Sequence, residues 1–209
     1  MLITEIFHSI QGEGLYAGLP MLFVRTNICN IRCDWCDTKY SFYGGKDMSL
    51  QEIIRSVQES KENWVCFTGG EPLVQREAHE FVKQVVDLGK NILIETNGTI
   101  SVRNFVFSDR IFIDMDVKPP SAKVTKGFLM ENLRYLRKQD YLKIVIKDDE
   151  DLNFALDFVD RYGDGLNFVF QPAWGSDMRR IADRISGTGY NIRVLPQIHK
   201  IIYGDVPGV

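Results

Sequence analysis

Seven short runs rich in β-branched and aromatic residues recur along this chain: "MLFVRT" (21–26), "NWVCFT" (63–68), "NILIET" (91–96), "RIFIDMDV" (110–117), "YLKIVI" (141–146), "LNFVF" (166–170) and "NIRVLP" (191–196). Most are separated by stretches of helical periodicity. The clearest is "VQREAHEFVKQVVDLG", where Ala78, Phe81, Val82, Val85 and Val86 recur at helical spacing and Gly89 supplies a stop. Ser49 before "LQEIIRSVQES" and an aspartate before "DLNFALDFVDRYG" supply N-caps. Strands alternating with helices predict an α/β fold around a parallel sheet, curled or open. A full eight-fold barrel takes about 250 residues. At 209 residues, a partial barrel of about six strands fits better, as one domain spanning 1–209.

Polar or glycine-rich segments follow these runs one after another: "CNIRCDWCDT" after the first, "GGEP" after the second, "TNGT" after the third, "KPPS" after the fourth, "QPAW" after the sixth and "QIHK" after the seventh. In a parallel α/β fold the loops at the carboxyl ends of the strands form the ligand face, so segments scattered in sequence converge on one pocket. The net charge of -3 and the lack of any long basic run argue against a nucleic-acid surface. No apolar run approaches a membrane span, and "MLITEIFHSIQGEG" lacks the charged start and apolar centre of a signal peptide. A small-molecule partner and a cytoplasmic location are expected.

In a reducing compartment, clustered cysteines point to a metal or redox site rather than to disulfides. Cys29, Cys33 and Cys36 could hold zinc or an iron-sulfur cluster. Structural zinc commonly takes two well-separated CxxC-like pairs, which this chain lacks, and Cys66, inside "NWVCFT", reads as a buried apolar residue. Three thiolates on a cubane leave one iron open to a substrate or cofactor.

The spacing CxxxCxxC, with Trp35 just before the third cysteine, resembles the radical S-adenosylmethionine superfamily, and "GGEP" resembles its methionine-binding loop. The resemblance implies a partial (β/α)6-type barrel and a four-iron, four-sulfur (4Fe-4S) cluster on Cys29, Cys33 and Cys36 whose open iron takes S-adenosylmethionine. The flanks, "EIFHSIQGEGLYAGLPMLFVRTNICNIRCDWCDT", "KPPS", "QP" and "LPQIHKIIYGDVPGV", resemble the 7-carboxy-7-deazaguanine synthases over nearly the whole chain. One departure is Asn27-Ile28, where that family commonly carries a small residue and glycine. The implied reaction is ring contraction of 6-carboxy-5,6,7,8-tetrahydropterin to 7-carboxy-7-deazaguanine, in queuosine and deazapurine biosynthesis. It implies magnesium, a regenerated S-adenosylmethionine, a reductant such as flavodoxin or ferredoxin, and a homodimer. A glycyl-radical-enzyme activating enzyme shares the cysteine spacing, but "IQGEG" and "CDT" favour a small anionic substrate.

The same resemblance assigns roles by position. Gln11, Gly12, Glu13, Arg25, Thr68 and His199 are expected at the substrate, with Glu13, Arg25 and His199 as the catalytic group. Gln11 and Glu13 suit a pterin edge, and Arg25 suits its carboxylate. Trp35, Asp37, Gly69, Gly70, Glu71, Asp116, Val117, Lys118, Ser121, Gln171, Pro172, Ala173 and Trp174 are expected at S-adenosylmethionine, and Thr38 at magnesium, with a local cap as the alternative for its hydroxyl. Asn97 and Gly98 read equally as a turn or a cofactor contact, and His8 and His79 as structural or exposed.

Overall fold

The computed structural model describes residues 1–125, 127–204 and 206; Asp205 and residues 207–209 of "LPQIHKIIYGDVPGV" lie outside them. Its strands are Leu2–Ile10 (β1), Pro20–Thr26 (β2), Lys46–Asp47 (β3), Trp64–Gly69 (β4), Asn91–Thr96 (β5), Ile111–Asp116 (β6), Tyr141–Ile146 (β7), Phe168–Pro172 (β8) and Ile192–Val194 (β9). All seven expected runs are strands, and from β2 through β4 to β9 each pairs in parallel with the next. The parallel run thus has seven strands. Two further strands, β1 and β3, pair antiparallel at one edge, giving the order β3-β1-β2-β4-β5-β6-β7-β8-β9.

The helices are Leu50–Glu59 (α1), Ala78–Asp87 (α2), Asp149–Tyr162 (α3), Met178–Ile185 (α4) and Ile198–Tyr203 (α5). Ser49 and Glu52 close a capping box on α1, each side chain accepting from the other's backbone N–H. Asp148 accepts from the Asp151 N–H at the start of α3. Gly89, at φ 76°, follows α2 and donates to the Val86 carbonyl at 2.8 Å. Between β5 and β6, and between β6 and β7, the described residues form only 3-10 turns, so the helical layer is thinner than a full (β/α)6 pattern.

Side chains alternate across the sheet. One face carries Leu22, Val24, Val65, Phe67, Ile92, Ile94, Ile113, Ile144 and Phe170, all buried in the main core with Ile53, Phe81, Leu152 and Ile181 of the helices. The other face carries a second apolar cluster of Met21, Phe23, Cys66, Leu93, Tyr141 and Val169. Stepping two residues along each strand from that cluster gives Arg25, Thr68, Glu95, Lys143 and Gln171, so the inner face changes from apolar to polar toward the strands' carboxyl ends.

The sheet is strongly curled. Laid flat, β2 and β9 would stand six strand spacings, about 29 Å, apart. Yet the Ile198 N–H, just after β9, donates to the carbonyl of Gly12 in the β1–β2 loop at 2.8 Å. Glu13 in the same loop reaches Lys143 on β7 at 2.7 Å. The open side of this partial barrel is thus bridged by the β1–β2 loop and the segment leading into α5.

Candidate active site

The polar inner face borders a cavity of about 520 Å³, a volume suited to small molecules. Gln11, Gly12, Glu13, Arg25, Thr68 and His199 all line it, as do Cys29, Cys33, Cys36 and Thr38. The first three come from the β1–β2 loop. Because β1 runs antiparallel to β2, this loop starts from the amino end of the parallel strands and enters the curl from below, opposite the other loops.

Gln11 donates to Glu95 Oε1 at 2.8 Å and accepts from the Glu13 N–H at 3.0 Å. Thr68 donates to the other Glu95 oxygen at 2.5 Å. Glu13 accepts from Lys143 Nζ and from Gln197 Nε2, both at 2.7 Å. Lys143 also donates to Asp114 Oδ2 at 3.0 Å and lies 4.0 Å from Asp116 Oδ2. Burial works to raise the Glu13 pKa, but the Lys143 charge and the two hydrogen bonds overcome it and hold this carboxyl well below the usual range. Asp114 goes the other way: burial, helped by Glu95 and Asp116 and opposed by Lys143, pushes it up to about 7.

Arg25 donates from Nε to Glu5 Oε1 at 2.7 Å, and Tyr40 donates to the same oxygen at 2.8 Å. Among the described residues no acceptor meets the two terminal nitrogens of Arg25, which leaves the end of its fork free for an anion. A Cβ on Gly12 would overlap the His199 ring, so glycine is what lets the imidazole lie against this loop.

The three cysteines are free and partly exposed, and burial pushes Cys33 up to about 11 and also raises Cys36. Among the described residues, no three His, Cys, Asp or Glu side chains come together around a single ion. Three thiolates can each bind a different iron of a cubane, and no fourth cysteine competes because Cys66 is buried in the apolar cluster below. Asn97 Nδ2 lies 3.9 Å from Cys29 Sγ, while Asn97 Oδ1 accepts from the Thr99 N–H at 3.0 Å. The residue both shapes a turn and faces the cavity.

"GGEP" packs directly on the cysteine loop. The Gly70 N–H donates to Thr26 O at 3.2 Å and the Glu71 N–H to Ile28 O at 2.9 Å. A Cβ on Gly70 would overlap the Ile28 carbonyl. Gly69 and Gly70 line the cavity, but Glu71 does not. Its carboxylate is fully buried and accepts from Thr96 Oγ1 (2.8 Å), Asn97 N (2.7 Å) and Leu73 N (3.1 Å). Glu71 thus braces "GGEP" against "TNGT" from behind the cavity lining.

Of the other expected cofactor residues, Trp35, Asp37, Asp116, Lys118, Gln171, Ala173 and Trp174 line the cavity, whereas Val117, Ser121 and Pro172 lie behind its wall. Ser121 accepts from Trp35 Nε1 at 2.8 Å and donates to Asp151 at 2.6 Å, fixing the indole from behind. Lys118 pairs with Asp116 at 2.7 Å and stands over the Trp35 ring. Gln171 is wholly buried, and among the described residues neither of its amide atoms has a partner. Orphaned polar atoms facing a cavity mark a place where a ligand completes the hydrogen bonding. Thr38 does not cap the following 3-10 turn; its hydroxyl donates to Asp37 Oδ1 at 2.9 Å. His8 pairs with Glu62 at the surface, and His79 packs on Phe105 and Phe107.

Sequence reading missed Glu95, Asp114, Lys143 and Gln197. The first three interrupt apolar strands at inward-facing positions, and that parity is the signal that could have found them.

The chain matches the Radical SAM superfamily model over residues 23–146. It is 86% identical over 209 residues to the 7-carboxy-7-deazaguanine synthase of Thermoplasma acidophilum, covering 100% of both chains. It is 39% identical to that of Methanospirillum hungatei, covering 97% of this chain and 85% of the relative. The crystal structure of QueE from Escherichia coli shares the fold, with a TM-score of 0.77, 20% identity and 92% of each chain covered.

Proposed function

Since the chain belongs to the radical SAM superfamily and, within it, to the 7-carboxy-7-deazaguanine synthases, we propose that its cavity contracts the ring of 6-carboxy-5,6,7,8-tetrahydropterin to give 7-carboxy-7-deazaguanine. The observation that carries this reading is the meeting of two unlike surfaces in one cavity. Three free thiols border it beside the Gly69-Gly70 loop, and Gln11, Glu13 and Arg25 border it below. Membership of the superfamily implies a 4Fe-4S cluster and S-adenosylmethionine, which when bound supply hydrogen-atom abstraction. Cys29, Cys33 and Cys36 would hold the cluster.

The remaining work belongs to the chain's own groups. Gln11 and Glu13 present acceptors to the donor edge of the pterin, and the free end of the Arg25 guanidinium takes its carboxylate. Thr68 orients Glu95 beside them, and His199, seated on Gly12, closes the cavity from the side of α5. Gly69 and Gly70 offer backbone to the cofactor, Trp35 and Asp37 border it, and Asp116, Lys118, Gln171, Ala173 and Trp174 form the opposite wall. Glu71, Val117, Ser121 and Pro172 support those walls from behind. Enclosure excludes water and aligns one C–H bond with the cofactor.

Thr38 is the proposed protein ligand of magnesium. Thr38 lines the cavity with its hydroxyl 2.9 Å from an Asp37 oxygen, and magnesium commonly takes one or two protein oxygens, with substrate oxygens and water completing its shell. A low-potential donor such as flavodoxin or ferredoxin, a cytoplasmic setting, a homodimer and a single domain over 1–209 complete the reading. Among the described residues no helix is long and apolar enough to cross a membrane. The test is pterin-dependent formation of 7-carboxy-7-deazaguanine by the anaerobically reconstituted protein. Product without added pterin, or cofactor cleavage unaffected by it, would overturn the proposal.

A further inference from the structure

We propose that Lys143 is a positioning residue that holds Glu13 as a two-oxygen anion facing the donor edge of the substrate, and so sets which ring edge the cavity accepts. The proposal rests on the reading of Glu13 as a substrate contact. Its basis is geometric. Lys143 lies on β7 with its side chain only 6% exposed, and it donates to Glu13 at 2.7 Å and to Asp114 at 3.0 Å. Lys143 and Gln197 each hold a different Glu13 oxygen. A carboxylate oxygen accepts about two hydrogen bonds, so each retains one site for an incoming N–H.

The 2-amino and N3–H groups of a pterin are both donors. They match an ionised Glu13 and clash with a protonated one, whose O–H would face another donor. Burial works to raise the Glu13 pKa, as it pushes the neighbouring Asp114 up to about 7, and the Lys143 charge opposes it. The groups bearing on Glu13 are Lys143 of β7 and His199 of α5, which favour its anion, with Asp114 and Asp116 of β6 and Glu95 of β5 around Lys143. Lys143 is the cation that donates directly to Glu13. Surrounded by Asp114, Glu13, Asp116 and Glu95, it is held well above the usual lysine range. It remains a fixed charge and is a poor proton donor.

The experiment measures 6-carboxypterin binding by fluorescence to the anaerobically reconstituted holoenzyme with S-adenosylmethionine, between about pH 5.5 and 7.5. The wild type should bind with little pH dependence in this window. In Lys143→Met the Glu13 carboxyl should take up a proton as pH falls, so affinity should drop roughly ten- to a hundred-fold at the acid end and recover toward the alkaline end. Lys143→Arg, which keeps the charge, should restore a flat profile. Glu13→Gln/Lys143→Met should bind weakly at every pH, with no acid limb. If Lys143→Met does not fold, Asp114→Asn/Lys143→Met, which removes a buried acid along with the cation, carries the same measurement.

A flat profile in Lys143→Met, with only a lowered Tm, would reduce Lys143 to a brace between β7 and the β1–β2 loop and overturn the proposal. An acid limb that persists in the Glu13→Gln double variant would assign the titration to a group other than Glu13 and overturn it equally. Unchanged pterin binding in Glu13→Gln alone would instead remove the substrate reading on which the proposal rests.

Discussion

Gly70 and Ile28 meet backbone to backbone: the Ile28 carbonyl accepts the Glu71 N–H at 2.9 Å, and a Cβ on Gly70 would overlap that same carbonyl. The cofactor loop and the cysteine loop are therefore one packed unit. Gly70→Ala should cost about 1–3 kcal/mol at this contact and push the loops apart. The reconstituted variant should bind less iron per chain and S-adenosylmethionine at least tenfold more weakly, with far-UV circular dichroism unchanged. Normal iron loading would show that the contact is not needed.

Ile28 itself sits at φ 75°, where a β-branched residue is strained by about 1–2 kcal/mol. The Cβ responsible is absent in glycine, and Ile28 is 42% exposed, so little burial is lost with its side chain. Ile28→Gly should raise stability by roughly 1 kcal/mol after the added entropy of the unfolded chain, read as a higher urea midpoint. A lower midpoint would mean that this side chain contributes packing that outweighs the strain.

Glu71 should give stability a pH slope. Burial, against hydrogen bonds from Asn97, Thr96 and Leu73, raises its pKa from 4.5 to about 7. Between those values the native chain binds more protons than the unfolded chain, so stability declines as pH rises through the window, by roughly 3 kcal/mol in all. Glu71→Gln should make that part of the apoprotein's profile shallower, leaving the slope contributed by Asp114, which burial also pushes up to about 7. An unchanged slope would place the titration elsewhere.

The strands were legible because apolar runs and polar exits alternate, and because three cysteines at this spacing follow the first run. Other features were not. β1 is a half-exposed antiparallel strand and β3 is two exposed residues, so neither has the continuous apolar character of a buried parallel strand. Lys143 was hidden inside "YLKIVI", where the apolar neighbours set the reading and the inward parity of the lysine was passed over. Glu71 was expected at the cofactor from the likeness of "GGEP" to a methionine-binding loop, but two of its three donors, Thr96 and Asn97, come from a loop that meets it only in the fold. The β1–β2 loop shows the same dependence, since only the curl brings Glu13 to Lys143.

Thr38 offers a test of the magnesium reading that leaves the thiols untouched. Thr38→Ala should keep the ~400 nm absorption of the cluster while lowering turnover and raising the magnesium concentration needed for half-maximal rate, as expected when one of few oxygen ligands is lost. An unchanged magnesium response would release Thr38 from that role.

The central claim is that this cavity joins a three-thiolate cluster site to a pterin site that uses S-adenosylmethionine catalytically. The most direct measurement counts 7-carboxy-7-deazaguanine formed per S-adenosylmethionine supplied, under anaerobic conditions with excess pterin, magnesium and a low-potential reductant. The account predicts more product than cofactor, product lost in Cys29→Ala, Cys33→Ala and Cys36→Ala, and product retained in Cys66→Ala. Accumulation of 5'-deoxyadenosine without any deazaguanine, or full activity in any one of the first three variants, would contradict it.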